Sequence, residues 1–206
     1  MTYDRIPSVD ALMALLADCE DVWDTPDRTG DPVDLLDHGL QVAALLAASH
    51  PDDEELQVAG LLHDIGHCLV PAGEEGHGRH GAEAVEGLLG PRVARLVAAH
   101  IPAKRYLAAA DPRLVLSPES ARTLGCQGGP MTPAEAAAFE ADPDFPAAIA
   151  LRRADDAGKV VGLAVAPLGT WRPVVERVAT GRRRDTRAGV LPDPVPRASA
   201  AEAAAQ

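Results

Sequence analysis

Aromatic side chains are nearly missing from this chain: two Trp, two Tyr and two Phe make up 3 % of its 206 residues. A β-sandwich draws on aromatic and β-branched residues, so this scarcity, beside a 47 % apolar share carried by Leu, Ala and Val, points to packed helices. Lysine is almost absent too, since only Lys104 and Lys159 occur among 19 basic residues. The 31 acidic residues set the net charge at −12, which speaks against nucleic acid as a partner. Cysteines number three (Cys19, Cys68 and Cys126) with wide spacing and no CxxC, so the expectation is no disulfide framework and a reducing interior. The opening Met-Thr-Tyr-Asp-Arg-Ile-Pro lacks the apolar core of a signal peptide. No apolar run reaches the roughly 18–20 residues that span a bilayer. A cytoplasmic protein without a membrane partner is expected; nothing in the sequence reports its oligomeric state.

The length suits one domain, expected over residues 1–180. From Gly181 onward Arg, Pro and Ala dominate, and residues 181–206 read as a disordered tail. Ser8 caps a first helix running to about Trp23, and Pro32 opens a second that carries His38. Asp52 or Asp53 caps a third that runs into His63-Asp64, with His67 one turn further on the same face. A Gly-rich loop from Pro71 to Gly78 leads to a fourth helix, and Pro91 starts a fifth that breaks at Pro102. Residues 111–130 read as irregular, before helices from Pro133 to about Ala141 and from Pro146 to about Val161.

The informative run is Leu61-Leu-His-Asp-Ile-Gly-His67. A His followed by an Asp at the end of an apolar helical segment brings two metal-ligand types to one point, and the Asp can bridge two ions. His38, His63, Asp64, His77, His100 and Asp155 all sit on or beside expected helices, as helix-bundle metal sites require. Four imidazoles and two carboxylates suit iron, manganese, zinc or nickel and disfavour calcium. Six ligands exceed what one catalytic ion with an open position takes, so two ions bridged by Asp64 are expected. His80 competes with His77, and Asp156 with Asp155; His77 is preferred because His77-x-x-x-Gly-Ala82 places it just ahead of a helix of small residues.

This ligand series resembles the two-metal form of the HD-domain superfamily, an all-α helical bundle around a dinuclear site. Most of that superfamily are phosphohydrolases; a smaller branch comprises mixed-valent diiron oxygenases related to myo-inositol oxygenase. Three further segments resemble the phosphonate-degrading oxygenases: His100-Ile-Pro-Ala-Lys-Arg-Tyr-Leu107; Leu116-Ser-Pro-Glu-Ser-Ala-Arg-Thr-Leu124 with Gln127-Gly-Gly-Pro-Met131; and Leu151-Arg-Arg-Ala-Asp-Asp-Ala-Gly-Lys159. The likeness covers roughly residues 25–180.

The resemblance implies two iron ions, Fe(II)/Fe(III), chelated by a 1-hydroxyphosphonate. Dioxygen then oxidises C1, and C–P cleavage yields a carboxylic acid and phosphate; 2-amino-1-hydroxyethylphosphonate would give glycine. It implies that Lys104, Ser120, Arg152 and His67 hold the phosphonate; Gln127 is of suitable type but ranks lower, since it could instead brace the Gly-Gly turn. Lys and Arg are also the donors a phosphonate dianion needs. Asp64, His67 and Lys104 are expected to act in catalysis. Two departures stand out: Arg28 and Asp31 replace a Tyr and a Glu that precede the first His in the best-known members. Asp31 retains the charge to meet a cationic amine, whereas Arg28 is unable to serve as a Tyr ligand. A metal-dependent phosphohydrolase acting on a nucleotide or small phosphate ester is the alternative reading.

Overall fold

Side-chain caps set several of the helix starts. Ser8 accepts the Ala11 N–H, Asp34 that of Asp37, Asp53 that of Leu56, and Ser117 that of Ser120, while Thr132 and Glu135 close a capping box. The computed structural model describes residues 5–25, 28–70 and 76–188, with side chains to residue 181. Among the described residues it is all-α: α1 Val9–Ala17, α2 Leu35–Ser49, α3 Glu54–Leu62, α4 Ile65–Leu69, α5 His77–Leu89, α6 Pro91–Ala110, α7 Pro118–Cys126, α8 Pro133–Glu140, α9 Phe145–Ala157 and α10 Leu168–Ala188. The core is aliphatic, as the composition requires, and includes Leu12, Val42, Leu46, Leu56, Val58, Leu62, Val85, Leu96, Val97 and Leu151. Around it α5 packs on α6, α2 on α3, and α9 on both α2 and α6.

Several expectations are corrected. α1 stops at Ala17, short of Trp23, where the chain turns and Asp21 takes φ 60°. α6 does not break at Pro102 but continues to Ala110. A Pro inside a helix costs about 3 kcal/mol. The stripe Val93, Leu96, Val97, Ala103 and Leu107 is buried along this helix, and each larger side chain contributes about 1.5–3 kcal/mol, so packing outweighs the proline. α7 lies within the stretch read as irregular; its only strong signal is the Ser117 cap with Pro118 at the first turn. α10 was not foreseen, and it crosses the boundary expected at residue 181. Its buried Trp171, Val175, Val178 and Ala179 recur at helical spacing and anchor it on the core. Residues 189–206 of the expected tail lie outside the described residues, as do residues 71–75 of the Gly-rich loop.

The cysteines are also corrected. Cys19 and Cys68 form a disulfide with Cα atoms 6.4 Å apart, because the fold carries the end of α1 to α4 across 49 residues of sequence. Cys126 is exposed and free. Denatured, unreduced protein is therefore expected to titrate one thiol and reduced protein three; three thiols before reduction would contradict the pairing.

A candidate dinuclear metal centre

The His63-Asp64 pair does not lie inside one helix. His63 ends α3, and Asp64 adopts φ −100° and ψ 6° before α4 begins, so His67 belongs to a separate short helix and not to the face of His63. That sparsely populated backbone region recurs at active sites. Here it turns the Asp64 carboxylate across the space between two groups of imidazoles.

His38 reaches this space from α2, His77 from the first residue of α5, His100 from α6 and Asp155 from α9. Two close backbone approaches bring those helices together. A Cβ on Gly39 would lie 2.6 Å from the Leu61 carbonyl oxygen, and one on Gly66 would collide with the carbonyl of His77. Only glycine lets α2 touch α3 and α4 touch α5 at these points.

Asp64 Oδ2 stands 3.2 Å from His63 Nε2 and 3.6 Å from His38 Nε2. Its Oδ1 stands 3.4 Å from His77 Nε2 and 3.6 Å from His100 Nε2. Asp155 closes the first group, with Oδ1 3.3 Å from His38 Nε2 and Oδ2 3.7 Å from His63 Nε2. The donors thus sort into two sets that share Asp64. Within them His38 Nε2 lies 3.1 Å from His63 Nε2, and His77 Nε2 lies 2.8 Å from His100 Nε2. Nitrogens so close need a proton or a cation between them.

Backbone carbonyls orient three of the rings. Nδ1 of His38, His63 and His100 lies 2.8, 2.8 and 2.6 Å from the carbonyls of Gly158, Gly60 and Val97. Each Nδ1 must then donate, which leaves the Nε2 lone pair for the centre. Burial acts to lower the His63 pKa, but the Asp64 and Asp155 carboxylates override it and lift it to about 10. Burial, together with the charge of His77, pushes His100 well below its usual range. Burial opposes the ionisation of Asp64 and Asp155, yet His63 beside Asp64 and Arg152 beside Asp155 hold both carboxyls well below theirs. A buried cluster of anionic oxygens and inward-facing nitrogens fits two borderline metal ions. His77 stands within the cluster; His80 stands outside it, beside the Arg79 guanidinium. Asp156 is likewise outside and clamps Arg152.

A cavity of about 50 Å³ opens beside the cluster. Asp31, His67, Lys104, Ser120, Gln127 and Arg152, the residues expected to meet the substrate, line it together. Lys104 and Arg152 are buried, at 4 % and 3 % exposure. Arg152 donates through Nη1 to Asp155 at 2.6 Å and through Nε and Nη2 to Asp156, and the same Nη2 lies 3.4 Å from Ser120 Oγ. Lys104 donates to Thr123 Oγ1 at 2.9 Å, and burial together with Arg152 lowers its pKa to about 8. Gln127 Oε1 is buried without a hydrogen-bond partner among the described residues, so it offers an acceptor at the wall. The His67 ring stacks on His77 with centroids 4.0 Å apart.

Arg28 does not face this cavity: it is exposed and packs over the Trp23 ring, 5.0 Å from the centroid. Four lining residues escaped sequence reasoning, namely Asp24, Glu119, Thr123 and Lys159. Lys159 carried a signal, being one of only two lysines and four residues beyond Asp155; Asp24, Glu119 and Thr123 had none.

The comparisons with known proteins agree with this geometry. The HD-domain family model matches residues 35–155, which include all six clustered donors. The chain is 40 % identical to hydroxymethylphosphonate dioxygenase of Gimesia maris over 71 % of its own length and 78 % of that protein. It is 36 % identical to [1-hydroxy-2-(trimethylamino)ethyl]phosphonate dioxygenase (glycine-betaine-forming) of Leisingera caerulea, over 72 % of this chain and 81 % of that one. An uncharacterized protein, L432, of Acanthamoeba polyphaga mimivirus is 31 % identical over 71 % and 72 % of the two lengths. With both donor groups inside the matched region, the chain belongs to the HD-domain family, among its phosphonate-degrading oxygenases.

Proposed function

We propose that this protein is a mixed-valent diiron oxygenase that cleaves the C–P bond of a 1-hydroxyphosphonate. The carbinol carbon is oxidised to a carboxylic acid, the C–P bond breaks, and one dioxygen accepts four electrons for each phosphate released. The observation that carries this reading is the pair of donor sets sharing Asp64, beside a cavity walled by two buried cations. The resemblance names 2-amino-1-hydroxyethylphosphonate as substrate; the relatives are named for hydroxymethyl and trimethylamino analogues. The reaction class is common to all three.

His38, His63, Asp64 and Asp155 would hold one iron and His77, His100 and Asp64 the other, and the bound pair would supply the redox chemistry that no side chain here offers. The remaining residues bind and orient. Lys104 and Arg152 neutralise a phosphonate dianion, and the same two charges suit the phosphate that leaves. Ser120 Oγ lies between Arg152 and Lys159 and completes the anion wall. His67 and Gln127 complete the wall around the phosphonate, and burial of the site excludes bulk water. Arg152 also couples the two halves, since the guanidinium that faces the anion neutralises Asp155.

Loading the protein with iron under anaerobic conditions tests the assignment. EPR and Mössbauer spectra should report two coupled irons per chain, perturbed by a 1-hydroxyphosphonate. Spectra of isolated ions that ignore the phosphonate, together with turnover of nucleotides or phosphate monoesters, would favour the hydrolase alternative.

Lys104 makes a pH prediction. Its folded pKa of about 8 means that its charge is full below that pH and fades above it. kcat/KM, which reports the free enzyme, should therefore fall by about tenfold per unit on a limb near pH 8. Lys104→Arg should shift that limb upward, because a guanidinium stays charged. A limb unmoved in Lys104→Arg would assign it to another group.

A further inference from the structure

Lys159 is the cation of the cavity that the proposed chemistry leaves without a role. It follows the end of α9, in a segment bound tightly to α2. Gln41, fully buried, accepts the Val160 N–H and donates to the Val160 carbonyl, both at 3.0 Å, and the Gly158 carbonyl accepts from His38 Nδ1 at 2.8 Å. From this anchored backbone Lys159 Nζ reaches Asp31 Oδ2 at 2.6 Å, the two side chains being 11 % and 16 % exposed. The other oxygen of Asp31 accepts from Ser117 Oγ at 3.2 Å. Both oxygens of Asp31 are therefore engaged.

We propose that the Lys159–Asp31 pair sets substrate choice: the acid that the resemblance sets against a cationic substituent is already filled by an internal ammonium. The site then takes 1-hydroxyphosphonates whose carbinol carbon carries a small, uncharged substituent, and disfavours those bearing an amine or a quaternary ammonium. This rests on the cavity being the phosphonate site.

A substrate ammonium reaching Asp31 must displace Lys159 Nζ. The displaced group would keep only Ser120 Oγ at 3.4 Å and Asp155 Oδ1 at 3.7 Å, in a cavity that already holds Arg152 and Lys104. An incompletely paired ammonium in that setting is costly. A quaternary ammonium fares worse, since it offers no N–H to replace the bonds that Lys159 gives. The neighbouring acids offer no easy alternative. Asp24 accepts the N–H groups of Thr25 at 2.8 Å and Asp31 at 3.2 Å, and Glu119 holds Arg122 at 2.5 Å. Hydroxymethylphosphonate, with only hydrogen on that carbon, is the simplest member of the class and would yield formate and phosphate.

The test titrates iron-loaded protein, without oxygen, with hydroxymethylphosphonate, 2-amino-1-hydroxyethylphosphonate and the trimethylated analogue, by calorimetry. kcat/KM is then measured in air, and both series are repeated in Lys159→Met. The wild type should bind hydroxymethylphosphonate tighter than either cationic analogue by roughly tenfold to a hundredfold. Lys159→Met, which frees Asp31, should shrink or invert that ratio. A merely structural lesion would weaken all three ligands alike and leave the ratio in place. Wild-type protein that binds the amine as well or better overturns the proposal, as does an unchanged ratio in folded Lys159→Met. If that variant does not fold, the wild-type ratio decides. A ratio that holds in binding while neither oxygen is consumed nor phosphate released would overturn the oxygenase reading and leave the charge preference standing.

Discussion

Replacing Asp64 with Asn should cost the protein at least one of its two irons and lower turnover by about 10⁴-fold or more, as removal of one member of a catalytic unit does. The expectation follows from the placement of the two carboxylate oxygens, one against each pair of imidazoles. An amide of the same shape keeps the packing but lacks the charge that draws both ions together. It also removes one of the two carboxylate charges that face His63. Metal analysis of purified protein is the direct measurement: two irons per chain in the wild type, one or none in Asp64→Asn. Full iron content in that variant would show that Asp64 does not bridge.

Arg152→Met should damage both stability and substrate affinity. Arg152 is 3 % exposed and faces the carboxylates of Asp155 and Asp156, so solvent screens little of this pairing. Removing one partner leaves buried negative charge uncompensated, which costs about 3–5 kcal/mol. Denaturant unfolding should show that loss as a shift of the midpoint with an unchanged slope. In protein that remains folded, loss of a charge-assisted contact worth about 1.5–3 kcal/mol should raise the KM for the phosphonate by roughly tenfold to a hundredfold. Arg152→Lys separates the two effects. It retains a charge near Asp155 but loses the fork that reaches Asp156 and Ser120 together, so stability should recover more than affinity. Equal recovery of both would place Arg152 outside the anion site.

Much of this centre was legible in the sequence because its donors are local signals. His63-Asp64 is a contiguous pair, and His38, His77, His100 and Asp155 each lie on or next to a helix that periodicity and caps could locate. Lys104 and Arg152 came from the resemblance to the phosphonate-degrading oxygenases, and their charge suits a phosphonate dianion. What escaped depends on contacts distant in sequence. The Lys159–Asp31 pair joins residues 128 positions apart, and Arg28 turned out to stack on Trp23 and not to face the cavity. The Cys19–Cys68 pairing and the docking of α10 on the core likewise arise from tertiary packing. α6 is instructive in the opposite sense. Its buried stripe from Val93 to Leu107 was visible on both sides of Pro102, and giving the proline precedence over the stripe led to the wrong boundary. At Asp64 helical periodicity misled, since continuing α3 through His67 hides the backbone turn that aims the bridging carboxylate.

Oxygen stoichiometry tests the central claim most directly. Iron-loaded protein is mixed with a 1-hydroxyphosphonate in an oxygen-electrode cell, and phosphate is assayed in the same sample. One dioxygen should be consumed for each phosphate released, and both should cease when oxygen is removed. Phosphate released at an undiminished rate without oxygen would contradict the oxygenase account and make the centre that of a metal-dependent hydrolase.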